Sequence, residues 1–283
     1  MIDDARHPSG AGPRTLPIEQ SLAAKLLPTV LSLTAGSVDV IGFLGLGGLL
    51  SAHITGNLVI LAAHIVAGDE ASLALALSVP IFIIMLAVTR LLAAGLEQML
   101  VASLRPLLLL QFLLLAGSLA VCVGGGPLHD LNTAKATFAG MLGVSAMAVQ
   151  NALVQISLKG SPSTAVMTTN TTRFVMDLGE VLLGRSPSDE MKAAARAKRT
   201  GLAITGFIVG CGIGAGCQAV VGLWSLALPA GLALAALIMA VAAKLDGAQA
   251  HPLSPRLLVE TNPQRADSYS ASGPGTTSNA GRS

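Results

Sequence analysis

Asp39, His53 and Asn57 are polar or ionisable residues set in sequence apolar enough to cross a membrane, and a second set follows in Asn151, Thr168 and Asn170. The first copy reads Asp39, then His53-Ile54-Thr55-Gly56-Asn57; the second reads Asn151, then Val166-Met167-Thr168-Thr169-Asn170. Asp39 maps to Asn151 at an offset of 112 residues, and Thr55 and Asn57 map to Thr168 and Asn170 at 113. A charged group at the bilayer centre costs about 2.5–3.5 kcal/mol on insertion scales, so it must be paired or line a watered cavity. Asp39 is therefore a candidate proton or cation site. The competing reading is a carboxylate that holds backbone N–H groups freed at a helix break. His53 could relay protons or touch a substrate, or be a buried imidazole bonded to a carbonyl. Thr55-Gly56-Asn57 and Thr168-Thr169-Asn170 stand early in short helices, whose free N–H groups and positive dipole ends suit an anionic or carbonyl group of a ligand. Capping of freed backbone is the alternative. Gln150, Asn151 and Gln155 place amides where the first copy has its carboxylate, and amides bond a substrate or the partner motif without titrating.

Arg173, Asp177 and Glu180 lie at i, i+4 and i+7 on one helical face. The spacing predicts an Arg173–Asp177 ion pair, structural or interfacial first and a gating bridge second. Ser161-Pro162 reads as an N-cap followed by proline at N1. Cys122, Cys211 and Cys217 form no C-x-x-C pair and no zinc spacing with histidine, so no metal and no cofactor is expected. Gly143-Val144-Ser145-Ala146 only half matches a rhomboid-type Gly-x-Ser-Gly, and there is no Walker motif. The chain does not read as an enzyme.

The elements that must position these residues are membrane-length helices. Six stretches reach the roughly 20 apolar residues a hydrocarbon core requires, at 26–50, 73–96, 106–124, 134–158, 200–222 and 224–244. Pro28 and Pro106 fall near helix starts, and Pro80 should kink the second stretch. Residues 54–67 are too short for a perpendicular span, and 164–184 carry three charges. The fold class is thus all-α and polytopic, with two internal repeats, six transmembrane helices and two short broken, re-entrant helices; eight spans is the alternative. Lys25, the bases at 192–199 and Lys244 mark one side as cytoplasmic. Arg90 and Arg105 fall on that side, and Asp69-Glu70 on the other, in the six-span arrangement. Three spans per repeat make the repeats inverted, and two broken elements then meet in a shared cradle near the midplane. The domain reading is a disordered leader at 1–24, repeats at 25–130 and 131–245, and a disordered polar tail at 246–283.

The composition agrees with this class. Of 283 residues 52% are hydrophobic and 11% charged, and the mean hydropathy is +0.70. A water-soluble protein so built would expose large apolar patches. The net charge of +2, with no basic stripe, excludes a nucleic-acid binder. Gly206, Gly210 and Gly214 form a doubled G-x-x-x-G that packs helices within the chain or, as the second use, seams a homo-oligomer.

Ser37-Val38-Asp39-Val40-Ile41-Gly42-Phe43-Leu44, His53-Ile54-Thr55-Gly56-Asn57-Leu58 and Val149-Gln150-Asn151-Ala152-Leu153 resemble the YoaK family of bacterial inner-membrane proteins, a domain of unknown function. The likeness spans most of residues 25–245, and it departs at Thr168-Thr169, where the family pattern has Thr-Gly. It implies a multi-spanning membrane protein with no established substrate. The leading functional reading is a secondary transporter or permease for a small solute, proton-coupled through Asp39. It would sit in the inner (plasma) membrane with both termini cytoplasmic, its partners being the lipid bilayer and the solute. The alternatives are a channel or membrane scaffold, then an intramembrane enzyme.

Overall fold

The computed structural model describes residues 18–68, 72–124, 133–164, 166–184, 186–243 and 245. The elements are α1 (Ile18–Gly45), α2 (Ile54–Ala67), α3 (Leu73–Gln98), α4 (Leu104–Val123), α5 (Ala134–Ser157), α6 (Met167–Leu183), α7 (Pro187–Val221) and α8 (Ala227–Ala242). A 3-10 turn at Gly222–Leu226 joins the last two helices. Among the described residues there is no strand, so the chain is all-α. Five stretches are long and apolar enough to cross a membrane: α1 from Leu22, α3, α4, α5, and Pro187–Ala242, which runs over α7, the turn and α8. Large apolar side chains also cover the outside, with Val59 71%, Val66 89% and Leu91 72% exposed. An outer surface of this kind matches hydrocarbon rather than water.

Several helix ends differ from the sequence expectation. α1 begins at Ile18, inside the stretch read as a leader, so Pro28 lies within the helix rather than near its start. It stops at Gly45 rather than 50, because Gly47 (φ 70°) and Gly48 (φ 82°) turn the chain back. α6 starts after Val166, so Ser161-Pro162 is not its cap; the Ser–Pro start belongs to α7, at Ser186-Pro187. α7 has 35 residues, about 52 Å of helix, and so extends well beyond a core of about 30 Å. Asp69, Glu70 and Lys244, most of the leader and the 246–283 tail lie outside the described residues.

Three apolar layers give each helix its direction. The first layer joins Leu27 and Leu31 of α1, Ala93 near the end of α3, Leu104 and Leu108 at the start of α4, Leu153 near the end of α5 and Ala240 near the end of α8. The middle layer holds Ala35, Val38, Ala52, Leu115, Met147 and Ala233. The third joins Ile41, Ala74 and Leu75, Cys122, Ala139 and Leu226, the opposite ends of those same helices. α1 and α4 therefore run from the first layer to the third, and α3, α5 and α8 run back. α7 runs parallel to α1, since Gly206 meets Thr29 and Gly214 meets Ser37.

The shorter helices behave differently. From the third layer the chain returns to Ala52 in the middle layer, and α2 then leads out to α3, which starts in the third layer. α6 begins beyond Thr164, which bonds Gln150 near the first layer, and runs antiparallel to α7 toward that same end, with Phe174 at Gly201 and Asp177 at Arg196. α1 packs on α7 and α8, and α5 on α3 and α4; α2 lies on α3, α6 on α7, and α4 on α8.

Candidate functional site

The first break is organised by Asp39, which is buried between the middle and third layers. Its Oδ1 accepts the backbone N–H groups of Ser51 (2.7 Å) and Ala52 (2.6 Å), and Oδ2 meets His53 Nδ1 at 2.5 Å. The turn after α1 leaves those N–H groups without helical partners, and the carboxylate supplies them. The returning chain passes directly over α1: a Cβ added at Gly42 would lie 2.6 Å from the Leu49 carbonyl oxygen. Asn57 locks the other side of this loop, its Oδ1 accepting from Leu50 N–H (2.9 Å) and its Nδ2 donating to the Leu50 carbonyl (2.7 Å). His53 keeps a third of its side chain exposed and sets its ring edge-on to Phe207 of α7, centroids 5.1 Å apart. With Asp39 ionised, Nδ1 is the donor in that contact, and Nε2 is the nitrogen left to exchange a proton.

The second break is built from amides. Gln150 donates from Nε2 to the Leu31 carbonyl of α1 and to Thr164 Oγ1, both at 2.9 Å, and its Oε1 accepts from Gln111 Nε2 at 2.7 Å. Asn151 instead bonds the Met147 carbonyl of its own helix. The residue that reaches the break as Asp39 does is thus Gln150, one position before the one matched by sequence. Asn170 donates to the Ser163 carbonyl at 2.6 Å. Its Oδ1 and the Oε1 of Gln111 are buried with no hydrogen-bond partner among the described residues. Gln111 is a functional candidate that sequence reasoning missed; a lone glutamine inside the apolar run 104–123 was its signal.

Among the described residues no hydrogen bond joins the two short-helix starts. Thr55 and Thr168 are both exposed, on helices that pack on α3 and on α7 respectively. Leu31 and Asp39, which mark the two breaks on α1, are eight residues or about 12 Å apart along the axis. Ala52 of the first break lies in the middle layer, and His53 beside it meets Phe207, which packs on that layer.

The charged face of α6 also finds another partner. Arg196 of α7 donates from Nε to Asp177 Oδ1 and from Nη2 to Glu180 Oε2, each at 2.7 Å, while Arg173 is exposed. Asp177 therefore pairs across helices, not with Arg173. A cavity of about 380 Å³ opens beside this fork, lined by Glu180, Leu183, Asp189, Glu190 and Arg196. Gly206, Gly210 and Gly214 are buried against α1, where a Cβ at Gly210 would collide with the Leu33 carbonyl. That ridge is filled by α1 within the chain. Among the described residues no three His, Cys, Asp or Glu gather as a metal site. Ser145 donates its hydroxyl to the Met141 carbonyl.

Long apolar helices with polar breaks between them define a membrane-embedded helical protein. The chain belongs to the DUF1275 family, described as a protein of unknown function, which matches residues 27–239. No curated protein and no solved structure matches the chain.

Proposed function

We propose that the chain is a secondary transporter for a small solute, crossing the plasma membrane six times through α1, α3, α4, α5, α7 and α8. The carrying observation is that α1 and α5 are antiparallel: Leu27 and Leu31 sit with Leu153, and Ile41 with Ala139. If α2 crossed, α5 would be the fifth span and would run parallel to α1. In this reading α2 and α6 are half-helices entering from opposite faces. The helix contacts keep their pattern when α1–α4 are exchanged with α5–α8, as expected of inverted repeats. The exposed bases Lys25, Lys159, Lys192, Lys198 and Arg199 lie at the first-layer end, which makes that end and the N-terminus cytoplasmic. The YoaK resemblance is in keeping with this placement and names no solute.

His53 carries the proton in this proposal, and Asp39 positions it. Both Asp39 oxygens are occupied by donors, whereas the imidazole is partly open and its Nε2 has no partner among the described residues. The orphan acceptors of Gln111 and Asn170 call for a solute bearing hydrogen-bond donors. The test is proton uptake into proteoliposomes, followed with a lumenal pH dye across a panel of sugars, amino acids and nucleosides. A solute that drives uptake with the wild type but not with His53→Gln supports the reading. Uptake undiminished in His53→Gln would overturn the proton role, and downhill flux with no solute saturation would favour a channel.

A further inference from the structure

We infer that four uncompensated bases at the first-layer end form a binding collar for anionic phospholipid. They are Lys25 on α1, Arg173 on α6, and Lys198 and Arg199 on α7, all exposed. The acids nearest in sequence on α6, Asp177 and Glu180, are both taken by Arg196. None of the four bases has an ion pair among the described residues. The positions share one level of the bundle. Gly206 lies against Thr29, so Lys25 is one turn before that contact and Arg199 two turns before it on a parallel helix. Phe174, the neighbour of Arg173, touches the Gly201 position of α7.

Apolar side chains open to the outside sit beside these bases: Leu22 52%, Leu26 47%, Leu202 39%, Val175 57% and Met176 66% exposed. A surface with cationic groups next to an apolar wall is matched by a molecule with a phosphate joined to acyl chains, the chemistry of a glycerophospholipid. Lys192 stands two and three residues after Glu190 and Asp189 in the first turns of α7, so the local charge there is net negative and Lys192 is left out of the collar.

The inference rests on the membrane-embedded reading and is independent of transport. The full chain, purified in detergent, is titrated with phosphatidylglycerol or phosphatidylcholine of the same acyl chains, and bound lipid is counted by native mass spectrometry. Phosphatidylglycerol is expected to bind at least tenfold more tightly, with the preference falling as salt rises. Each of Lys25→Gln, Arg173→Gln, Lys198→Gln and Arg199→Gln is expected to weaken it about fivefold, and Lys192→Gln to leave it unchanged. The remaining variants and the salt titration keep the test decisive if any one variant does not fold. Equal binding of the two lipids, or preference retained in all four variants, overturns the inference. So does glycerol phosphate competing as strongly as the whole lipid, which would indicate a site for free phosphate.

Discussion

Replacing Asp39 separates its two duties. In Asp39→Ala the N–H groups of Ser51 and Ala52 lose their acceptor, and both residues are buried. An orphaned buried donor costs about 1–3 kcal/mol, so the two together cost about 2–6 kcal/mol. Asp39→Asn keeps one carbonyl oxygen, and a single oxygen, Oδ1, now serves both N–H groups. Its loss is limited to the charge assistance, about 1–2 kcal/mol. The amide presents its NH2 to His53 Nδ1, which must then accept, moving the imidazole proton to Nε2. The expected result is a thermal midpoint for Asp39→Ala lowered by roughly 5–20 °C, with Asp39→Asn within a few degrees of wild type. Asp39→Asn should nevertheless lose solute-driven proton uptake. The assay is unfolding of the detergent-purified chain beside proteoliposome flux. Equal midpoints for Asp39→Ala and wild type, or an Asn variant as unstable as the Ala one, would refute the capping geometry.

Other changes test the packing around the breaks. Asn57→Ala loses both bonds to Leu50 and should cost about 1–3 kcal/mol, more than Asn170→Ala, which loses a single backbone bond; thermal midpoints rank the two. Gly210→Leu should fail to fold or fall sharply in yield because it strikes the Leu33 backbone, whereas Gly212→Leu, with nothing within 4 Å, should behave as wild type on size exclusion. Arg196→Gln strands the buried Asp177 carboxylate and should lower the thermal midpoint, by less than a buried pair would because the arginine is exposed. Arg173→Gln should leave the midpoint unchanged in the same measurement.

What the sequence made legible was local. Residues 54–67 stood out as a short apolar helix because their length is a one-dimensional property, and the structure has Ile54–Ala67. The polar breaks were visible for the same reason: Asp39 and Asn57 interrupt apolar runs. Partners distant in the chain were not legible. The i,i+4 spacing made Arg173 the natural mate of Asp177, yet the guanidinium that arrives comes from residue 196 on a packed neighbour. Offset arithmetic chose Asn151, but one residue along a helix is a turn of about 100°, and Gln150 is the side chain facing α1.

The six-span, inverted arrangement is tested most directly by sided cysteine labelling. In a background with Cys122, Cys211 and Cys217 replaced, single cysteines are placed at Asp69, between α2 and α3, and at Leu100, between α3 and α4. An impermeant maleimide is expected to label position 69 from the outside and position 100 only from the cytoplasmic side. Labelling of position 100 from outside and position 69 from inside would mean that α2 crosses the membrane, and would contradict the six-span arrangement.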